Sequence, residues 1–272
     1  MAGPALVSIP VGTQGHGVGH GAARGVAAEA INPTAGAPRG ISPLLWSGLL
    51  RILDGRAGTG PISVLDCGGG SGSLAVPLAV RGARVTVVDI SIDALSTLLR
   101  RAGESGVSDR VTAVQGDAEA LLDVLPAAAF DLVLAHGVLE SVPNPAEAVR
   151  QIAAVLRPGG AASLLLANPV AAVIGRLLAG DVSAALDGFR RSATSAYSAQ
   201  AATDQCAAAG LAIESIEGIG VFTELVPGID LERPGVMQTL GELEAASAGI
   251  SPYRDIASRM HLVARRPTAG TG

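Results

Sequence analysis

The chain reads as an α/β protein with a doubly wound, mostly parallel sheet, and three observations predict it. Short apolar runs alternate with helical patterns, two of those runs end in a carboxylate, and the first opens into a glycine-rich turn. From Ser42 the spacing of Leu45, Leu49, Ile52 and Leu53, with Trp46 beside them, predicts a helix. Residues 62–66 are then a buried strand, 68–72 the glycine turn, and 74–80 a helix. Strand 84–89, helix 92–103, strand 111–115, helix 118–124, strand 130–135, helix 146–156 and strand 161–166 follow, and Arg157-Pro158-Gly159-Gly160 is expected to stop the helix and turn the chain. A helix over 199–209, a strand over 211–219, a helix over 237–246 and a last strand over 259–264 complete the pattern, giving seven strands in all. Strand-helix-strand units form right-handed crossovers, so both sheet faces are covered and ligands bind beyond the carboxyl ends of the strands.

Hydrophobic residues make up 49% of the 272 positions and charged residues 16%, enough for one large domain. We expect a Gly/Ala-rich flexible extension or lid over 1–38, a domain over 39–267 and a short tail over 268–272. No apolar run reaches membrane-spanning length; residues 161–179 come nearest and are broken by Asn168, Pro169 and Arg176. The N-terminus lacks the charged and apolar regions of a secretory signal, so a cytoplasmic location is expected, with no membrane partner. Cys67 and Cys206 are too few for a disulfide framework, and His16 and His20 in the glycine-rich stretch read as solvated, so no metal site is expected. All 19 basic residues are arginine and the net charge is −5, which excludes a global basic field for a polyanion. The pairs Arg100/Arg101, Arg190/Arg191 and Arg265/Arg266 read as solvated faces.

The glycine turn carries the chemistry. Gly68, Gly69, Gly70 and Gly72 remove the Cβ atoms that would hold a ligand off the backbone. Gly70, Gly72 and Ala75 satisfy one form of the dinucleotide fingerprint, and Asp89, at the end of the next strand, suits the hydroxyls of an adenosine ribose in either cofactor class. Asp66 separates the two classes, because a carboxylate just before the turn repels a pyrophosphate and welcomes a cation. S-adenosylmethionine, with a sulfonium and an α-ammonium group and no phosphate, is the cofactor this pattern favours.

Five stretches in order then resemble the motifs of class I S-adenosylmethionine-dependent methyltransferases across about residues 42–267. They are Val64-Leu65-Asp66-Cys67-Gly68-Gly69-Gly70-Ser71-Gly72, Val87-Val88-Asp89-Ile90-Ser91, Gln115-Gly116-Asp117-Ala118-Glu119, Phe130-Asp131-Leu132-Val133-Leu134 and Leu156-Arg157-Pro158-Gly159-Gly160. The resemblance implies a Rossmann-like sheet closed by a C-terminal antiparallel strand, which 259–264 would supply. Within that family His136-Gly137-Val138-Leu139-Glu140, Leu178-Ala179-Gly180-Asp181, Ser251-Pro252-Tyr253-Arg254 and the stretch from His261 to Pro267 are similar to the bacterial tRNA carboxymethoxyuridine methyltransferases. Two departures stand out: Ile41 occupies the place of a cofactor-binding arginine, with Arg39 nearby, and a lysine-rich run is reduced to Arg190 and Arg191.

The resemblance implies a cofactor site of Asp66, Gly68, Gly69, Gly70, Asp89, Asp117, Ala118, Glu119 and His136. Asp66 would orient the turn and offset the ammonium charge, or else cap a helix. Asp89 would hold the ribose, and Asp117, Ala118 and Glu119 would face the adenine, with Asp117 also a candidate helix cap. His136 would line the methionine end or relay a proton, or else simply be hydrogen-bonded within its loop. No obligatory catalytic base is assigned, since displacement at a sulfonium depends mainly on holding the reactants aligned. The expected function is methyl transfer to a small metabolite or modified nucleoside. The alternatives are methylation of wobble carboxymethoxyuridine in tRNA, a non-catalytic module that senses the cofactor, and an NAD-dependent oxidoreductase.

Overall fold

Apolar runs too short for helices and too continuous for a half-solvated sheet become buried parallel strands, and they set the frame. The computed structural model describes residues 36–55, 60–192, 198–223 and 235–268; these lie within one unit, Pro33–Gly272. Its strands are β1 (Ser63–Cys67), β2 (Arg84–Asp89), β3 (Val111–Gln115), β4 (Phe130–His136), β5 (Leu156–Ala167), β6 (Ala212–Ile219) and β7 (Arg259–Arg265). The helices are α1 (Pro43–Asp54), α2 (Ala75–Val80), α3 (Ile92–Glu104), α4 (Pro145–Val155), α5 (Pro169–Leu178), α6 (Val182–Ser192), α7 (Ala199–Ala208) and α8 (Val236–Ser247). The seven strands form one sheet in the order β3-β2-β1-β4-β5-β7-β6. Pairing from β3 through β5 is parallel, and β7 runs antiparallel to both β5 and β6.

Strand alternation sends successive side chains to opposite faces. Leu65, Val133, Ala135 and Leu164 join one core with α4 and α7, while Val64, Leu132, Leu134 and Ala161 join the other with α1, α2 and α3. The same alternation places Asp66, His136, Ser163 and His261 on the face that α1 covers, where Gly48 of α1 comes close to His261. This face carries the polar groups developed below.

Three expectations change. The predicted helix 118–124 is a 3-10 segment, Ala118–Asp123, broken at Ala120 (φ −140°, ψ 39°). Arg157 to Gly160 do not form a stop and turn: β5 already begins at Leu156, and the pairing with β4 slips between Phe130↔Leu156 and Leu132↔Ala161. Gly159, at φ 75°, absorbs the slip, and its N–H bonds to Arg266 O. Third, Asn168 and Pro169, read as interruptions of an apolar run, open α5. Asn168 Oδ1 accepts the Val170 N–H, its Nδ2 donates to Asp255 O and Ala257 O, and Pro169 is the first helical residue. His16 and His20 lie outside the described residues.

Beyond β6 the chain is anchored by a buried carboxylate. Glu244 of α8 accepts the N–H groups of Val221, Phe222 and Thr223 and the Thr223 hydroxyl, each at 2.8 Å. Burial alone would raise its pKa, yet the four hydrogen bonds together hold it below the usual carboxylate range.

Candidate active site

The carboxyl ends of β1, β2 and β4 converge where the sheet order reverses, and the glycine turn bridges β1 to α2. Its fit is steric. A Cβ on Gly69 would sit 2.5 Å from Asp66 Cγ, one on Gly68 2.7 Å from Val138 Cγ2, and one on Gly72 2.3 Å from Leu98 Cδ1. Gly68, Gly70 and Gly72 also have φ of 68°, 54° and 80°, a region that side chains disfavour. A Cβ on Gly70 would meet one atom within 4 Å, Asp89 Oδ2 at 3.8 Å. The turn is thus packed from below, with Gly70 at its open side.

Asp66 is 3% exposed beneath this turn. Burial, with a lesser contribution from the Asp89 charge, pushes its pKa up to about 7. The carboxylate therefore orients the turn by packing, and a nearby cation would favour its ionised form. Asp89 Oδ2 accepts the Gly70 N–H at 2.9 Å and Oδ1 accepts the Ser91 N–H at 2.8 Å, so one carboxylate ties the turn to the start of α3. Gly68 N–H bonds to Val88 O at 2.8 Å. Cys67, next to Asp66, is a buried thiol; burial first, then the Asp66, Asp117 and Asp89 charges, raise its pKa to about 12, which leaves it unreactive.

The third motif does structural work, one part expected and one not. Asp117 Oδ1 accepts the Glu119 N–H at 2.9 Å, the cap expected for it. Glu119 Oε1 accepts the Asn144 N–H at 2.7 Å and so joins this loop to the one after β4. Ala118 is turned into the core beside Leu121.

His136 ends β4. Its Nε2 lies 2.9 Å from Ser163 Oγ, and that oxygen lies 2.8 Å from Nε2 of His261. Burial first, then His261 and Arg259, push the His136 pKa down to about 3; burial and then Arg51 push that of His261 down to about 4. Both rings are neutral at physiological pH. Glu140 reaches the end of β5, accepting the Ala167 N–H at 3.2 Å through Oε1. Sequence reasoning missed Ser163, His261 and this use of Glu140. The legible signal was a serine and a histidine inside the otherwise apolar runs 161–166 and 259–264; buried polar groups need partners.

Arg101 of α3 also braces the turn from behind, donating to Ser71 O at 2.9 Å. Among the described residues no group of three or more His, Cys, Asp or Glu is placed to hold a metal ion, and no helix is long and apolar enough to cross a membrane.

The residues present suit a nucleoside sulfonium cofactor: a turn that side chains cannot enter, a carboxylate at the end of β2 that holds this turn, and a second carboxylate whose ionisation a cation would favour. Comparison with known proteins agrees. Residues 65–164 match the model of a methyltransferase domain. The chain is 29% identical over 230 residues to the tRNA 5-carboxymethoxyuridine methyltransferase of Escherichia coli K12, covering 82% of this chain and 87% of the relative. It is 38% identical over 122 residues to the ubiquinone biosynthesis O-methyltransferase of Paracidovorax citrulli, covering 44% of this chain and 48% of that protein. In fold it is similar to the [4+2]-cyclase SpnF (TM-score 0.53, 21% identity, 86% of each chain). The YcgJ protein of Bacillus subtilis is also similar (TM-score 0.53, 19% identity, 84% of this chain and 99% of that one). The glycine turn, the two strand-end carboxylates, the matched domain and the relative aligned along most of its length together support a class I S-adenosylmethionine-dependent methyltransferase.

Proposed function

We propose that this methyltransferase acts in the cytoplasm on a small metabolite or modified nucleoside, and that its domain spans residues 39–267. In this reading Gly68, Gly69 and Gly70 line the cofactor, Asp66 offsets its ammonium charge, Asp89 takes the ribose hydroxyls, and Asp117, Ala118 and Glu119 border the adenine. His136 stands at the methionine end. The bound cofactor supplies a methyl group on an already activated sulfonium leaving group. What the chain contributes is alignment and exclusion of water. The observation that carries the reading is the double hold on the turn, Asp66 below and Asp89 across from β2. Calorimetric titration with S-adenosylhomocysteine and with NAD tests it: binding of the first is expected, and binding of NAD alone overturns the assignment.

Asp66 gives the binding a pH dependence. The free protein holds this carboxyl largely protonated below about pH 7. A bound ammonium favours the ionised form, so binding releases a proton there. Affinity for S-adenosylhomocysteine is therefore expected to rise toward pH 7, by up to about tenfold per pH unit, and then level off. Asp66→Asn should flatten that slope in titrations between about pH 5.5 and 8; an unchanged slope removes Asp66 from the role.

A second reading makes the acceptor the carboxylate of wobble carboxymethoxyuridine in tRNA. It is favoured by the relative matched along most of its length and by the burial that pushes the His136 pKa down to about 3, which makes the ring a weak base, since a carboxylate nucleophile requires none. Mass analysis of tRNA from a deletion strain decides it: retention of the methyl ester there rejects the tRNA reading.

A further inference from the structure

His136, Ser163 and His261 form a chain across three adjacent strands, β4, β5 and β7, on the face covered by α1. The register explains the alignment. His136 pairs with Leu165, and Leu165 pairs with His261, so the two histidines flank β5 at one level with Ser163 two residues before it on the same face. The rings stand edge to face with centroids 6.2 Å apart, too far for a direct bond, and the serine hydroxyl fills the gap. Among the described residues, Nδ1 of each ring is buried without a hydrogen-bond partner.

The serine has a single hydroxyl proton. It can donate to one imidazole only and must accept from the other. Two neutral rings joined in this way necessarily hold opposite tautomers, one with its proton on Nε2 and the other with its proton on Nδ1. An unpaired, buried N–H is costly. His261 is 1% exposed and lies under α1, where its Cε1 is 3.7 Å from the place a Cβ would take on Gly48. His136 lies at the carboxyl end of β4, the end where ligands bind in such sheets. The proton that needs an outside acceptor belongs at that end.

We infer that Ser163 and His261 are positioning residues for His136: His261 donates from Nε2 to Ser163 Oγ, Ser163 donates to His136 Nε2, and His136 thereby presents an Nδ1–H as a fixed donor to the bound cofactor. Fixing the ring by a hydrogen bond to its other nitrogen is a general means of orienting a functional histidine. Here the orienting group is a hydroxyl, itself held by a second histidine two strands away from β4. The inference rests on the proposed placement of His136 at the cofactor.

Long-range proton–nitrogen NMR of the full chain with labelled histidine reads both tautomers directly, with no acceptor required. His261 is expected as the Nε2–H form and His136 as the Nδ1–H form. Ser163→Ala should leave His136 averaging between tautomers and weaken S-adenosylhomocysteine binding by about three- to tenfold, the effect of one lost hydrogen bond. Ser163→Thr, which restores the hydroxyl, should recover both signals. Emission from Trp46, the single tryptophan of the chain, checks that each variant folds; if Ser163→Ala does not, His261→Gln, which keeps an amide donor, is measured in its place and should retain the His136 tautomer. Equal tautomers in the wild type, or an unchanged His136 signal or affinity in folded Ser163→Ala, overturns the relay while leaving the proposed function standing. Failure of the wild-type protein to bind S-adenosylhomocysteine overturns the proposed function, and the wild-type tautomers still judge the relay.

Discussion

Gly69→Ala is expected to abolish measurable S-adenosylhomocysteine binding and to lower the melting temperature. The added methyl would lie 2.5 Å from both Cγ and Oδ2 of Asp66 and 2.9 Å from Val87 Cγ1. None of these neighbours is the free end of a flexible chain: Asp66 is buried on β1 and Val87 on β2. The turn itself has to move. Overpacking of this kind costs about 1–3 kcal/mol, and displacement of a positioning element by about 1 Å is commonly worth about 100-fold in function. A matched control exists in α8, where a Cβ on Gly241 meets nothing within 4 Å. Gly241→Ala should leave binding unchanged and raise stability by about 0.5–1 kcal/mol, because alanine gains helix propensity without a clash. Thermal melts and calorimetry of the two variants side by side check both outcomes; wild-type binding by Gly69→Ala would mean that the turn is not packed as described.

Glu244→Ala is expected to be strongly destabilising, although the residue lies outside the sheet. It strands three backbone N–H groups and the Thr223 hydroxyl at once, and Val221 is fully buried. Unsatisfied buried donors cost about 1–3 kcal/mol each; Val221 bears that cost in full, while half-buried Phe222 and exposed Thr223 regain water, which brings the sum to about 2–4 kcal/mol. That is a large part of the 5–15 kcal/mol typical of a folded domain. The pH dependence follows from the sign of the shift. The folded-state pKa is depressed, so the contribution of Glu244 is complete above the unfolded value of about 4.3 and is lost as pH falls through the lower folded value. Glu244→Gln, which turns an amide donor toward one of the N–H groups, should destabilise the protein at neutral pH by less than the alanine variant. Its deficit against wild type should narrow below about pH 4, which denaturant titrations at several pH values would detect.

Most of the frame was legible because it depends on local pattern. Strands β2 and β3 have the bounds expected of them, β4 and β6 differ by one residue at one end, and β1 is shifted by one residue at both, since an apolar run bounded by glycine or a carboxylate has little freedom to be anything else. What escaped depends on distance. The start of β5 looked like a turn because proline and two glycines are strong local signals; its pairing with Phe130 and with Arg266 overrides them. Asn168-Pro169 reads locally as a break in an apolar run, although a capping residue followed by proline is also how a helix begins. The motif points Glu119 toward the adenine, and its bond to Asn144, 25 residues away, has no sequence signal. The same holds for Ser163 and His261, which are 98 residues apart and meet only because β7 lies against β5.

That placement of β7 has a consequence for how the chain is made. The last strand in sequence is not an edge but the sixth of seven, inserted between β5 and β6. During synthesis both of those strands are available long before their shared partner emerges, and each presents an unpaired edge until residues 259–265 leave the ribosome. Arg266, immediately after, donates to the carbonyls of Ala153, Ala154 and Leu156 and closes the end of α4. A chain released early would keep the whole glycine turn and yet carry two open edges, so ribosomes stalled shortly before Arg259 should yield a product that self-associates rather than a smaller, working enzyme.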